Sequence, residues 1–409
     1  MFESDRKLRH LPFFEEIASR SEGDPEWHSA VAGMVVLRLV DAWLDEGAEF
    51  TVDEAFTIRS VESVIEEVRP GSPIRTLLQR VMDALRERKP DIHVVVTPLM
   101  AYAQALEYDA KWTLATDVYH SVLAHLHPME DTDASIAAHL RLGSCYRAMD
   151  LLDEASTAYA ASSDIATAAG DMLGILRARV GEAAILSRRG NYPRAQDILD
   201  DAIARANGEN LRDVRSRALH QRANVAKARG QYELAIRFAY DALHDSETPT
   251  ERDRILGDIA GAFSDLGVYT AARDAYLVLS VTAQEQFTRW AATLNLLDIA
   301  VQNGSELLFE QHRRQLLGQS LPPYLATGYQ LSLGQGYQRF GDEEKARRHL
   351  TAAVASAREY GLNALLFDAE EALLGVEKKR ATSRPPQLGL ETEEVAGAIR
   401  ALREAVGVA

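Results

Sequence analysis

Residues 219–242 read LHQRANVAKARGQYELAIRFAYDA. Two helix-forming stretches flank Gly230-Gln231, and alanine stands wherever one stretch must nest against the other. Glycine reaches the left-handed backbone region that a tight turn between antiparallel helices needs, and other residues enter it only at a cost. The segment therefore predicts a helical hairpin closed at Gly230.

The pattern recurs on both sides. Taking Ala235 as the mark of a second helix, its counterparts are Ala115, Ala155, Ala195, Ala272 and Ala346, with Phe309 in the slot between the last two. The steps are 40, 40, 40, 37, 37 and 37 residues, the period of stacked helical hairpins. Local spelling agrees: LGSCYRAMDLLDEASTAY (142–159), RRGNYPRAQDIL (188–199), DLGVYTAARDAY (265–276) and LGQGYQRFGDEEKARRHL (333–350) each set a turn, then an alanine, then a large residue four places on. Small residues at Gly143, Ala183, Ala223, Ala260 and Gly334 let the two helices of a hairpin approach closely. One hairpin alone leaves an apolar face bare, so stacking is what stabilises it.

This grammar resembles the tetratricopeptide repeat family, with Leu333, Gly334, Tyr337, Gly341, Ala346 and Leu350 the nearest match. The family's first-helix tryptophan is missing from every repeat. The resemblance covers about two-thirds of the chain and implies an all-α, right-handed superhelix of stacked helix–turn–helix units. Units of this length are similar to those of bacterial cytosolic peptide-pheromone receptors and of scaffold proteins.

Composition narrows the functional classes. The 409 residues carry a net charge of −16, which disfavours non-specific contact with phosphates. No run of about 18 or more apolar residues is present, so no membrane span is expected. The first residues, MFESDRKLRHLPFFEE, lack the apolar centre of a secretory signal, and cytoplasmic residence is expected. Cys145 is the sole cysteine and reads as a small packed side chain. His120, His125, His127 and Asp131 cluster in one loop and read as solvated. No P-loop, H-E-x-x-H or G-x-S-x-G motif occurs, and Gly334-Gln335-Gly336 follows no strand. Neither an enzyme nor a cofactor is expected.

Outside the repeats, residues 1–95 show helix starts at Asp24-Pro25, at a Thr51–Glu54 capping box and at Ser72-Pro73. With 12 Lys/Arg against 18 Asp/Glu in residues 1–90, they suit a helical cap or degenerate repeats better than a DNA-reading helix. The array is expected over 96–375 as about seven hairpins, followed by a linker over 376–391. A C-terminal amphipathic helix is expected over 392–409, capped by Thr392, with Val395, Ile399, Leu402 and Val406 on one stripe. That stripe is expected to cap the last repeat; docking into the protein's own groove and homodimerisation are the alternatives.

In the family the first helix of each hairpin lines the concave face. Carried onto this sequence, the resemblance implies a peptide-binding stripe of Arg141, Arg147, Arg177, Arg188, Arg217, His220, Gln221, Asn224, Lys227 and Arg254. Arginine forks suit carboxylates and Asn224 can bridge a backbone amide. The implied partner is a protein or peptide segment that is acidic or presents a free C-terminal carboxylate, bound by a non-catalytic regulatory sensor. The alternative is a scaffold that recruits partners by its convex face or ends. An RNA-binding repeat and an enzyme come third.

Overall fold

The computed structural model describes residues 9–45, 54–87, 91–319, 321–375 and 388–408. Among the described residues there is no strand, and no helix is long and apolar enough to cross a membrane. The chain divides into two compact units, Met1–Ile198 and Leu199–Ala409, with the boundary inside one helix.

The first unit opens with α1 (Leu11–Ala18), α2 (Pro25–Asp45), α3 (Glu54–Glu67) and α4 (Pro73–Glu87). The Asp24 carboxylate accepts the Glu26 N–H at 2.9 Å, so the Asp24-Pro25 start is as expected. The expected Thr51–Glu54 box lies outside the described residues. Ile74, Leu78, Val81, Met82 and Leu85 of α4 are buried. The hairpin α5 (Ile92–Tyr108)/α6 (Trp112–His125) follows, then α7 (Thr132–Ala148)/α8 (Leu152–Ala169), α9 (Met172–Arg188) and α10 (Tyr192–Gly208), which runs into the second unit.

The second unit continues with α11 (Arg212–Ala228)/α12 (Tyr232–Asp245), α13 (Pro249–Asp265)/α14 (Tyr269–Thr282), α15 (Gln286–Gln302)/α16 (Glu306–Leu316) and α17 (Pro323–Arg339)/α18 (Glu343–Glu359). It ends with α19 (Asn363–Leu373) and α20 (Leu390–Val406). The fold is all-α, built from stacked helix–turn–helix units.

Each expected register point is in place. The seven slot residues, from Ala115 to Ala346 and including Phe309, are all buried. Every first helix from α5 to α17 has 17 residues. From α8 and α10 to α12 and α14 the shortening falls in the second helices, 18 and 17 residues against 14, while the shorter α6 and α16, 14 and 11 residues, are followed by six-residue connections at 126–131 and 317–322. Three residues are close to one helical turn, so the change trims a turn and leaves the packed stripe in phase.

The inter-helix turns share one backbone state. Gly190, Gly230, Gly267, Gly304 and Gly341 have φ between 66° and 88°, and Ala110 and Asp150 hold the same position at 58° and 62°. A side chain there is strained. Ala110→Gly is therefore expected to raise stability by about 1 kcal/mol, and Asp150→Gly by less, since aspartate tolerates this region better. Urea midpoints of the two variants check this.

The C-terminal helix departs from expectation. α20 packs on α12 and α14, second helices from the middle of the array, and not as a cap on the last repeat. Thr392 lies inside the helix, where its hydroxyl donates to Glu233 at 3.3 Å while Gly389 N–H donates to the same carboxylate. Val395 and Ile399 join the apolar cluster of α12 and α14, and Arg403 meets Asp274 at 3.1 Å. An amphipathic stripe goes where both its apolar side chains and its arginine find partners, and α14 offers a buried carboxylate.

Candidate functional site

In the second unit the residues named for the stripe lie on α11 and α13, and their cations are already paired with acids. Arg217, His220, Gln221, Asn224 and Lys227 fall on one face of α11 through three- and four-residue spacing. α13 and the start of α15 set an acid against each cation. Arg217 Nε lies 3.0 Å from Asp213 and 4.0 Å from Glu251. His220 Nε2 is 2.6 Å from Asp258, Lys227 Nζ 3.4 Å from Asp265, and Arg254 Nη2 3.0 Å from Glu285. The basic line is a ladder of ion pairs joining successive first helices.

Gln221 and Asn224 stand half-buried between the rungs. Gly261 on α13 leaves the room that Lys227 occupies, since a Cβ there would sit 2.9 Å from Nζ. Burial, with Asp265, Asp298 and Asp258 nearby, pushes the Tyr276 hydroxyl well above the usual tyrosine range. These pairs are partly exposed, so each is worth at most about 1 kcal/mol and can be exchanged for a ligand's charge at little cost.

In the first unit the remaining stripe residues lie on α7 and α9. Arg141 is 3.6 Å from Glu107, whose other oxygen accepts the Tyr119 hydroxyl. Arg188 is exposed, 3.7 Å from Asp150. Arg177 is half-buried and engaged by neighbours. Arg147 buries its Nε without a hydrogen-bond partner among the described residues. The Cys145 thiol is buried, which raises its pKa and suits a packing role.

A second polar centre lay outside the stripe. Asp41, buried on α2, accepts from Ser121 Oγ on α6 at 2.6 Å and from Arg9 at 3.3 Å. His125 Nε2 lies 3.3 Å and His10 Nε2 3.4 Å from it, while His10 Nδ1 bonds Asp117 at 2.8 Å. Burial lowers the His10 pKa, but the bonds to Asp117 and Asp41 outweigh it and raise it to about 9. Burial raises Asp41, and its bonds to His10, His125 and Ser121 overcome this and hold it far below the usual carboxylate range.

His125 is thus no solvated loop histidine, which corrects the sequence reading. The sequence did carry a signal: Asp41 stands four residues after Leu37 on the buried side of an apolar helix, where a carboxylate needs partners. The arrangement does not make a nucleophile. Ser121 and His125 both face Asp41, and the carboxylate that accepts the Ser121 hydroxyl is held too far below its usual range to serve as a base. Among the described residues no group of three or more His, Cys, Asp or Glu could hold a metal.

Stacked helical hairpins, with ion pairs linking successive first helices, make this a helical-repeat fold. The tetratricopeptide repeat profile matches residues 134–208, which span α7 to α10. No curated protein matches the chain. Among solved structures, the Rap conjugation gene regulator of plasmid pLS20, in complex with the Phr* peptide, is 13% identical at a TM-score of 0.51, over 87% of this chain and 99% of that one. A Rap protein complexed with competence and sporulation factor is also 13% identical, with the same coverage and a TM-score of 0.48. The apo quorum sensor NprR from B. thuringiensis is 12% identical at 0.46, over 84% and 92%. At such identity the likeness to the pLS20 regulator is one of fold.

Proposed function

We propose that this protein is a non-catalytic, regulatory binding module whose α11/α13 face takes a peptide or an extended protein segment. The observation that carries the reading is the ladder itself: exchangeable charges from successive first helices on one face, with the half-buried amides of Gln221 and Asn224 between them. Asn224 would pair with the ligand backbone. Arg217 and Lys227 would trade Glu251 and Asp265 for ligand carboxylates, so an acidic group or a C-terminal carboxylate enters by exchange and not by filling a bare basic groove. The pLS20 regulator, a protein of the same fold, was solved with a peptide bound. Cytoplasmic residence goes with this reading.

The test is a pull-down from native lysate with wild type beside Asn224→Ala and Arg217→Glu, with bound species identified by mass spectrometry. Circular dichroism first verifies that the variants are folded. Loss of the backbone bridge should weaken binding about tenfold or more. Equal recovery by all three proteins would remove the α11/α13 face as the site.

A further inference from the structure

The outer face of α12 and α14 already holds a helix. α20 lies across it, fixed at three points. At its start, Glu233 takes the Gly389 N–H and the Thr392 hydroxyl, and Arg237 pairs with Glu391 at 2.6 Å. In its middle, Val395 and Ile399 enter the apolar cluster to which Ile236, Ala239, Ala275 and Leu279 belong. At its end, Arg403 reaches Asp274, which is 4% exposed and also held by Arg273 at 3.3 Å.

Measured from Thr392, the face recognises a hydroxyl at 0, aliphatic side chains at +3 and +7, and an arginine at +11. These positions all fall on one side of a helix.

α20 is a light occupant. It buries three residues, Thr392, Val395 and Ile399, whereas α14 buries seven. Leu390 and Leu402 remain exposed. Sixteen residues, among them Lys378-Lys379-Arg380 and Pro385-Pro386, separate the last residue of α19 from the first of α20. A covalent connection of this length keeps α20 at high local concentration near its seat.

We propose that the outer face of α12 and α14 is a helix-docking site for a partner, with α20 as its displaceable internal occupant. The partner is an amphipathic helix carrying Ser or Thr, an aliphatic residue at +3 and +7, and Arg at +11. Asp274 selects the arginine, because a buried carboxylate discriminates against helices that leave it short of a cation. The site is independent of the α11/α13 reading, since it uses other helices and other residues.

The experiment uses the full chain. Ile399→Asp places a charge in the apolar seat and undocks α20. A fluorescein-labelled synthetic peptide of residues 388–408 is then titrated against wild type and variant by fluorescence anisotropy. The expected result is saturable binding to Ile399→Asp and at least tenfold weaker apparent binding to wild type, where α20 competes. Asp274→Ala added to Ile399→Asp should weaken the peptide at least tenfold, and Arg403→Ala in the peptide should do the same.

Arg403→Ala in the protein is a second way of freeing the face and should also admit the peptide. A wild-type dimer that disappears on Ile399→Asp would support the site with a second copy as the partner. Failure of the peptide to saturate either α20-freed variant, or an affinity indifferent to Asp274, would overturn the proposal.

Discussion

Asp41→Ala is expected to cost about 3–5 kcal/mol and to loosen α1 from α2 and α6, because it leaves buried cationic partners without their shared counter-charge. Asp41 is the point where Arg9, His10, Ser121 and His125 meet, and α1 follows directly from His10, whose backbone is left-handed at φ 60°. Urea unfolding read by tryptophan fluorescence measures the loss. A cost below 1 kcal/mol would mean that the network holds nothing.

The same centre has a pH signature. His10 titrates near 9 in the folded protein, above its unfolded value near 6.5. Its contribution is therefore complete below pH 6.5 and is lost as pH rises through 9, about 3 kcal/mol in all. Asp41 is shifted the opposite way, so its share is present above the ordinary aspartate value and disappears only in acid. His10→Gln should flatten the alkaline limb between about pH 6.5 and 10, and should also shrink the acid limb, because the His10 bond is part of what holds Asp41 low.

Phe309→Ala is the second large effect, expected to cost about 3–5 kcal/mol as a cavity. Phe309 occupies the slot that six other hairpins give to alanine, and it fits because Gly336 on α17 faces it. A methyl group at Gly336 would overlap the Phe309 ring. Tyr337 and Phe340 complete the seat, with ring centroids 5.4 and 5.3 Å away. Gly336→Ala alone should cost about 1–3 kcal/mol by overpacking, against a gain of about 1 from helix propensity. The double variant should cost less than the sum, since the new methyl lies in the space the ring vacates. Thermal unfolding of all four proteins closes the cycle, and strict additivity would show that the two residues do not share a seat.

Gly334 and Gly336 show what a sequence discloses. Gly334 was legible as a close-approach residue of its own hairpin, and it does face Leu350 of α18, where a Cβ would come within 2.5 Å of the side chain. The role of Gly336 was hidden, because it answers a phenylalanine in the preceding hairpin. Repeat spacing gave the helices, turns and buried alanines because each depends on neighbours inside one period. The ion-pair ladder was within reach, since His220 and Lys227 each meet an aspartate 38 residues on, one repeat further. The pairing of His10 with Asp117, 107 residues apart, and the landing place of α20 obey no period. Patterning told that α20 has an apolar stripe; it held no information on which helices would receive it, or that Arg403 would find Asp274.

Hydrogen bonds from Gly389 and Thr392 to Glu233 span 156 and 159 residues in a unit whose other helices touch mainly their neighbours in the stack. They turn an open row into a ring closed through α20. An open row frays from its free end one hairpin at a time. With the ring closed, melting α17–α19 leaves a long loop pinned at both ends, and the entropy released by that melting is smaller. The hairpins from α13 to α19 should therefore melt together while α20 is seated, and peel singly from the far end once it leaves.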